Sequence, residues 1–162
     1  MASKTHTAPK APASRPAGKA YTAPGITVFF DKKRCIHFGA CVRGLPEVFD
    51  TERKPWIKPE EATIRKVTEV VRRCPSGALH YVLDNGPAEK PEPATVEPRP
   101  NGPLFVRGAL RIATRRGVVE DTRAALCRCG ASQNKPFCDD SHDECGFRAA
   151  GTTTVNPWGK KS

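Results

Sequence analysis

Seven cysteines fall in a chain of 162 residues, and one proline-rich segment divides them. Cys35, Cys41 and Cys74 precede "GPAEKPEPATVEPRPNGP" (86–103), and Cys127, Cys129, Cys138 and Cys145 follow it. The segment is full of Pro, Glu and Gly and has no apolar periodicity, the composition of an extended linker. The division implies two small modules, each with its own inorganic site. Modules of about 55–60 residues have thin cores, and a metal or cluster supplies stability that they otherwise lack. Disulfides fit less well. The cysteine count is odd, and the N-terminus "MASKTHTAPKAPASRPAGKA" has no apolar stretch of the kind a secretory signal needs. A cytoplasmic location is the resulting expectation. In a reducing compartment, clustered cysteines ligate metals or clusters.

The expected organisation has five parts: a disordered basic Ala/Pro-rich tail over 1–24, a first module over 25–85, a linker over 86–100, a second module over 101–155, and a flexible tail over 156–162. The first tail carries Lys4, Lys10, Arg15 and Lys19 and no acid, so it holds much of the net charge of +10. Such a balance favours acidic partners without choosing among them. No apolar run approaches the length of a membrane span, so no membrane partner is expected.

Within the first module, "ITVFF" (26–30) reads as a strand. Residues 60–73 read as a helix, with Glu60 and Glu61 in its first turn, Arg72 and Arg73 in its last, and Ile64, Val67, Val70 and Val71 as its apolar stripe. "LHYVLD" (79–84) reads as a second strand able to pair with the first. In the second module, "LFVRG" and "LRIA" (104–113) and "TRAALCRC" (122–129) read as short antiparallel strands feeding into the cysteines.

The stretch "CRCGASQNKPFCDDSH" (127–142) carries the densest ligand pattern. Zinc sites usually pair cysteines with two to four residues between them. Cys127 and Cys129 have one residue between them, and on an extended segment their side chains point the same way. That suits two thiolates on one iron of a flat binuclear cluster, with Cys138 and His142 serving the other iron. The acidic residues around Ser141 favour a helix start there.

This stretch matches C-x-C-x2-S-x3-P-x-C-D-x-S-H at Cys127, Cys129, Ser132, Pro136, Cys138, Asp139, Ser141 and His142. It resembles the CDGSH iron–sulfur domain over roughly 101–150, including the trailing Gly146 and Phe147. The resemblance implies a 2Fe–2S cluster held by three Cys and one His. Asp140 departs from it, standing where the family name has Gly. A Gly there suggests positive φ, which Asp tolerates better than most residues. A neutral imidazole ligand raises the potential relative to an all-cysteine cluster and couples the cluster to pH. Arg128 and Lys135 could donate hydrogen bonds to cluster sulfur. Ser132, Asp139 and Ser141 read as turn residues supporting the ligands. Cys145 lies outside the motif and reads as a packed small residue, or alternatively as a sensing thiol.

In the first module Cys35 and Cys41 bracket "IHFGA", and Cys74 is followed by Pro75. Ferredoxins use C-x2-C-x2-C with a further Cys-Pro. Phe38 occupies the middle position here and cannot bind iron. Three thiolates match a 3Fe–4S cluster. Alternatively, a 4Fe–4S cluster takes a non-cysteine fourth ligand, with His37 the nearest candidate. Trp56 reads as a core or cluster-shielding residue. The segment over about 26–85, with "CPSGAL" after a helix, resembles the divergent single-cluster ferredoxins of the 4Fe–4S type, which occur in bacteria alone or joined to a CDGSH domain.

The two resemblances together imply an α+β fold. A small ferredoxin-like α/β module is joined to a small β-rich CDGSH module with an irregular cluster-binding loop. The expected function is single-electron transfer by two clusters, serving a redox partner protein. Cluster storage, transfer to an apo-acceptor, or sensing is the alternative. A zinc-stabilised module contacting nucleic acid is a third and less favoured reading. No nucleophile–base pair or phosphate loop stands out, so substrate turnover is not expected. Homodimerisation stays open.

Overall fold

The computed structural model describes residues 15–152. The expectations for residues 1–14 and for the tail at 156–162 lie outside the described residues. The fold is α+β, with two three-stranded antiparallel sheets and short helices. Among the described residues, no helix is long and apolar enough to cross a membrane.

The first sheet has the order β1-β2-β3, made of Lys19–Ala23, Ile26–Phe30 and Leu79–Leu83. β2 and β3 are the two strands expected from the sequence, and they pair with Ile26 opposite Leu83 and Phe30 opposite Leu79. β1 falls inside the segment expected to be disordered. It pairs along all of β2, and its Tyr21 and Ala23 turn into the core. Helix α2 (Ile64–Arg72) packs on β3 of this sheet, and helix α1 (Ala40–Gly44) packs against α2.

The single helix expected over 60–73 is two elements. Pro59–Glu61 forms a 3₁₀ turn, and Ala62 is extended at φ −147°. Thr63 then starts α2 afresh, its hydroxyl accepting from the backbone of Lys66. A side-chain oxygen at this position satisfies one of the free N–H groups of a first turn. α2 buries Val67, Val70 and Val71 against Val28, Phe49 and Leu79, while Ile64 stays 40% exposed. Full burial of such side chains stabilises by about 1.5–3 kcal/mol each.

The second sheet has the order β4-β5-β6, made of Thr95–Pro98, Leu104–Thr114 and Gly117–Leu126. The two strands expected over 104–113 are one, β5, interrupted by a bulge between Arg107 and Leu110. Gly108 makes the bulge at φ +131°, where a Cβ would lie 3.1 Å from the backbone of Ala94. β4 lies within the expected linker. Its Pro98 sits at the end of an edge strand, where a missing N–H costs no ladder bond.

The rest of the linker is also structured, because Glu89 is buried in an ionic cluster between the modules. Arg123 of β6 donates to the carbonyls of Cys74 (2.8 Å), Val71 (3.2 Å) and Leu79 (2.5 Å), to the Thr122 hydroxyl (3.0 Å) and to the Glu89 carboxylate. Arg34 of the first module pairs with Asp121 of β6 at 2.5 Å and donates to the carbonyls of Ser76 and Arg123. His80 stands between Glu89 (Nδ1, 2.9 Å) and Asp121 (Nε2, 3.2 Å). Both ring nitrogens face carboxylates, so the ring is held as the imidazolium.

Candidate metal centres

In the second module, β6 delivers its last residue, Leu126, directly before Cys127. The chain crosses to Cys129 and returns through a turn built on Ser132. The Ser132 hydroxyl donates to the Phe137 carbonyl (2.7 Å) and accepts from the backbone N–H of Asn134 (3.0 Å). Two backbone bonds fasten the returning strand. Cys127 donates to the Pro136 carbonyl and Cys138 to the Ala125 carbonyl, both at 2.8 Å. Cys138 is thereby laid beside Cys127. The Sγ atoms of Cys127 and Cys129 are 3.8 Å apart, and Cys138 Sγ is 3.4 Å from Nδ1 of His142.

Asp139 braces the next turn. Its carboxylate accepts from the Gln133 N–H, the Ser141 N–H and the Ser141 hydroxyl, the last at 2.6 Å. Asp140 takes φ +69°, the left-handed conformation expected at this position, and α3 (Ser141–Glu144) begins directly after it. His142, on α3, is thus aimed back at Cys138. Cys138, Asp140 and His142 offer ligand atoms within 4.8 Å of one another. Burial pushes the Cys138 thiol up to about 11, and the charges of Asp140, Asp139 and Cys127 push the same way.

Arg128 and Lys135, expected to donate to cluster sulfur, also bond backbone carbonyls of the loop and its neighbours. The terminal nitrogens of Arg128 donate to the carbonyls of Arg99, Ala149 and Ala150, tying the loop to the chain on either side. Lys135 donates to the Ser132 carbonyl. Nε of Arg128 is a buried donor without a protein acceptor, and the Lys135 ammonium, with three N–H groups, keeps donors beyond its bond to Ser132. Cys145 is exposed rather than packed, because it follows the last turn of α3 on the solvent side.

In the first module, Cys35 closes the 3₁₀ turn Lys32–Arg34, Cys41 lies in α1, and Cys74 follows α2. All three line one pocket, together with His37, Phe38 and Trp56. Trp56 packs edge-on against Phe30 with ring centroids 4.8 Å apart. The Cys41 thiol is pushed up to about 11, first by burial and then by Cys74 and Cys35. Cys35 is raised likewise, by burial and by Cys74. Three half-buried thiols around one pocket, two of them with ionisation held back by burial, are a donor set for a cation or cluster, whose positive charge would favour their thiolate forms. His37 lines the pocket, but its Nδ1 turns outward to Asp140 of the second module at 3.0 Å, and its side chain is 84% exposed.

Both donor sets fit the chemistry of iron–sulfur ligation, since thiolates and imidazole are its usual ligands. The residues that sequence reasoning missed are those joining the sites: Arg34, His80, Glu89, Asp121 and Arg123. One signal was present. Asp121 and Arg123 stand two apart on β6, hence on one face, at the edge of the apolar run "AAL".

Comparison with known proteins gives the same division. The family described as "Divergent 4Fe-4S mono-cluster" matches residues 21–84, and that described as "Iron-binding zinc finger CDGSH type" matches residues 101–143. The protein called "Uncharacterized protein YjdI" in Escherichia coli (strain K12) is 46% identical over 63 residues, which are 39% of this chain and 83% of the relative. The protein of the same name in Escherichia coli O157:H7 matches to the same extent. The chain belongs to the divergent 4Fe-4S mono-cluster family through its first module, with a CDGSH-type iron-binding module joined behind it.

Proposed function

We propose that this iron–sulfur protein carries single electrons on two clusters. The observation that carries the reading is the presence of two separate donor sets on either side of one packed interface. Cys127, Cys129, Cys138 and His142 would hold a 2Fe–2S cluster. Cys35, Cys41 and Cys74 would hold the second, and the family match favours a 4Fe–4S cluster over 3Fe–4S. When bound, each cluster supplies a site that takes up or gives up one electron. The protein's own part is to hold the ligands and to limit water. Trp56, Phe30 and Phe38 wall the first pocket with apolar rings. The Ser132 and Asp139 turns fix the second loop around its ligands. Partners that fit are one-electron carrier proteins with acidic faces, given the net charge of +10. No step requires a bound organic substrate.

Electron paramagnetic resonance on anaerobically purified protein tests this directly. An oxidised sample silent at both sites, giving two signals on reduction, is the expected result. A signal in the oxidised sample identifies 3Fe–4S in the first module. A colourless protein that holds zinc removes the electron-carrier reading.

One observation favours a second task for the same site, release of the cluster to an apo-acceptor. The His142 side chain keeps 13% of its surface open, and its Nε2 faces the exposed Asp143 carboxylate at 3.6 Å. Protons can therefore reach the one ligand that readily accepts them. His142→Cys separates the tasks. Cluster release that is unchanged in this variant leaves the transfer reading without a mechanism.

A further inference from the structure

The two ligand loops touch each other. Arg34 directly precedes Cys35 and Phe137 directly precedes Cys138, and the Arg34 guanidinium lies 4.5 Å from the centre of the Phe137 ring. Two positions beyond Cys35, His37 hydrogen-bonds Asp140, which stands two positions from both Cys138 and His142. Asn134, in the turn that returns to Cys138, donates to the Lys33 carbonyl at 3.0 Å. On the far side, Arg123 donates to the Cys74 carbonyl, and β6 runs from Arg123 into Cys127. Phe38, in the first pocket, stacks edge-on with Phe105 of β5 at 5.7 Å. Asp140 comes close enough to help push the Cys35 thiol up.

The contacts of Arg34 are buried, whereas the His37–Asp140 and Asn134–Lys33 bonds lie at the exposed rim. Arg34 is 8% exposed, and its side chain reaches Asp121, Ser76, Arg123 and Phe137 at once. A guanidinium with this many fixed partners sets the separation of the two loops more tightly than apolar packing alone.

We propose that the two clusters exchange an electron directly, through the contact that Arg34 holds between the Cys35 loop and the Phe137–Cys138 turn. The inference rests on the reading that both sites carry iron–sulfur clusters. In the exchange one cluster is oxidised by one electron and the other is reduced by one. No bond forms or breaks, and no proton need move. An external one-electron carrier protein supplies the electron at one site, and a second oxidised carrier removes it at the other. Arg34 is a positioning residue, acting through the loop that bears Cys35.

The test uses the full chain with both clusters in place, poised so that both are paramagnetic. Magnetic interaction between them is expected, read as splitting or as faster spin relaxation. It should be absent in Cys41→Ser and Cys127→Ser, each of which retains one signal. A wild-type spectrum equal to the sum of the two single-cluster spectra overturns the inference. Protein without iron and acid-labile sulfide overturns instead the cluster reading beneath it.

Arg34→Lys keeps a charge opposite Asp121 and loses the bonds to the Ser76 and Arg123 carbonyls. It should retain its iron and sulfide and lose the magnetic interaction. An undiminished interaction removes Arg34 from the role. If Arg34→Lys does not hold its clusters, Phe137→Leu serves, because it leaves every Arg34 hydrogen bond in place. Electron equilibration after flash reduction of one site should slow severalfold in that variant, and an unchanged rate overturns the route.

Discussion

At Gly77 the backbone of the first module lies close to β6 of the second. Gly77 has φ +69°, and a Cβ there would lie 2.5 Å from the Arg123 carbonyl oxygen and 2.5 Å from Nη2 of Arg34. Backbone strain and a clash with a buried carbonyl act together, so Gly77→Ala should cost about 1–3 kcal/mol. The check is a lowered thermal midpoint with unaltered iron content per folded molecule. An unchanged midpoint would mean that the interface yields easily. Single residues also mark the limit of what the sequence discloses. The closeness of Cys127 to Cys129 and of Cys138 to His142 was legible because their spacing and the intervening Ser132, Pro136 and Asp139 form one local motif. The left-handed turn at Asp140 was legible too. The hydrogen bond from His37 to Asp140 was not, because it joins residues 103 positions apart. His142→Cys belongs to this scale as well. An anionic ligand in place of a neutral one should lower the potential of its cluster and flatten its pH dependence. Redox titration at two pH values reads both effects, and a potential that does not fall contradicts ligation by His142.

At the scale of elements, β6 and the ionic cluster behind it decide how the modules join. Burial alone would lower the His80 value, but hydrogen bonds to Asp121 and Glu89 outweigh it and raise the value above its ordinary 6.5. Glu89 and Asp121 are lowered instead, burial being outweighed for Glu89 chiefly by Arg123 and for Asp121 chiefly by His80. For His80 the folded form binds its proton more tightly than the unfolded chain does. Its contribution is therefore complete below pH 6.5 and is lost as pH rises through the raised value. The two carboxylates contribute above their ordinary range and lose that contribution as pH falls. Stability should be greatest between these limits. His80→Gln should remove part of the alkaline decline in thermal midpoint, and parallel profiles for wild type and variant would refute this.

Elements differed in how plainly the sequence announced them. β2, β3 and the apolar face of α2 are local patterns, and they stand where those patterns indicate. β1 and β4 hide in polar or proline-rich segments, because pairing with β2 and β5 makes them strands and their own composition does not. The break between the 3₁₀ turn and α2 came from Thr63 capping a new start, a signal overridden by the stronger apolar period.

For the whole molecule, the proline-rich segment proves to be a fastening rather than a spacer. Glu89 within it bonds both His80 and Arg123, and Glu92 reaches Arg72 and Arg107 at 3.5 Å. Composition reveals where a chain lacks a core of its own, but not which charges it brings to a neighbour's surface. The two sites consequently belong to one packed body and not to two independent carriers on a tether. That arrangement gives a pair of clusters a reason to share a chain, and its central requirement is that both donor sets are filled with iron and sulfide. The most direct measurement is the iron and acid-labile sulfide content of anaerobically purified wild type, Cys41→Ser and Cys127→Ser. Wild type should hold both elements in amounts matching two clusters. Each variant should lose one cluster's share and keep the other's. Zinc in place of iron, or a wild-type content that neither variant lowers, would contradict the account.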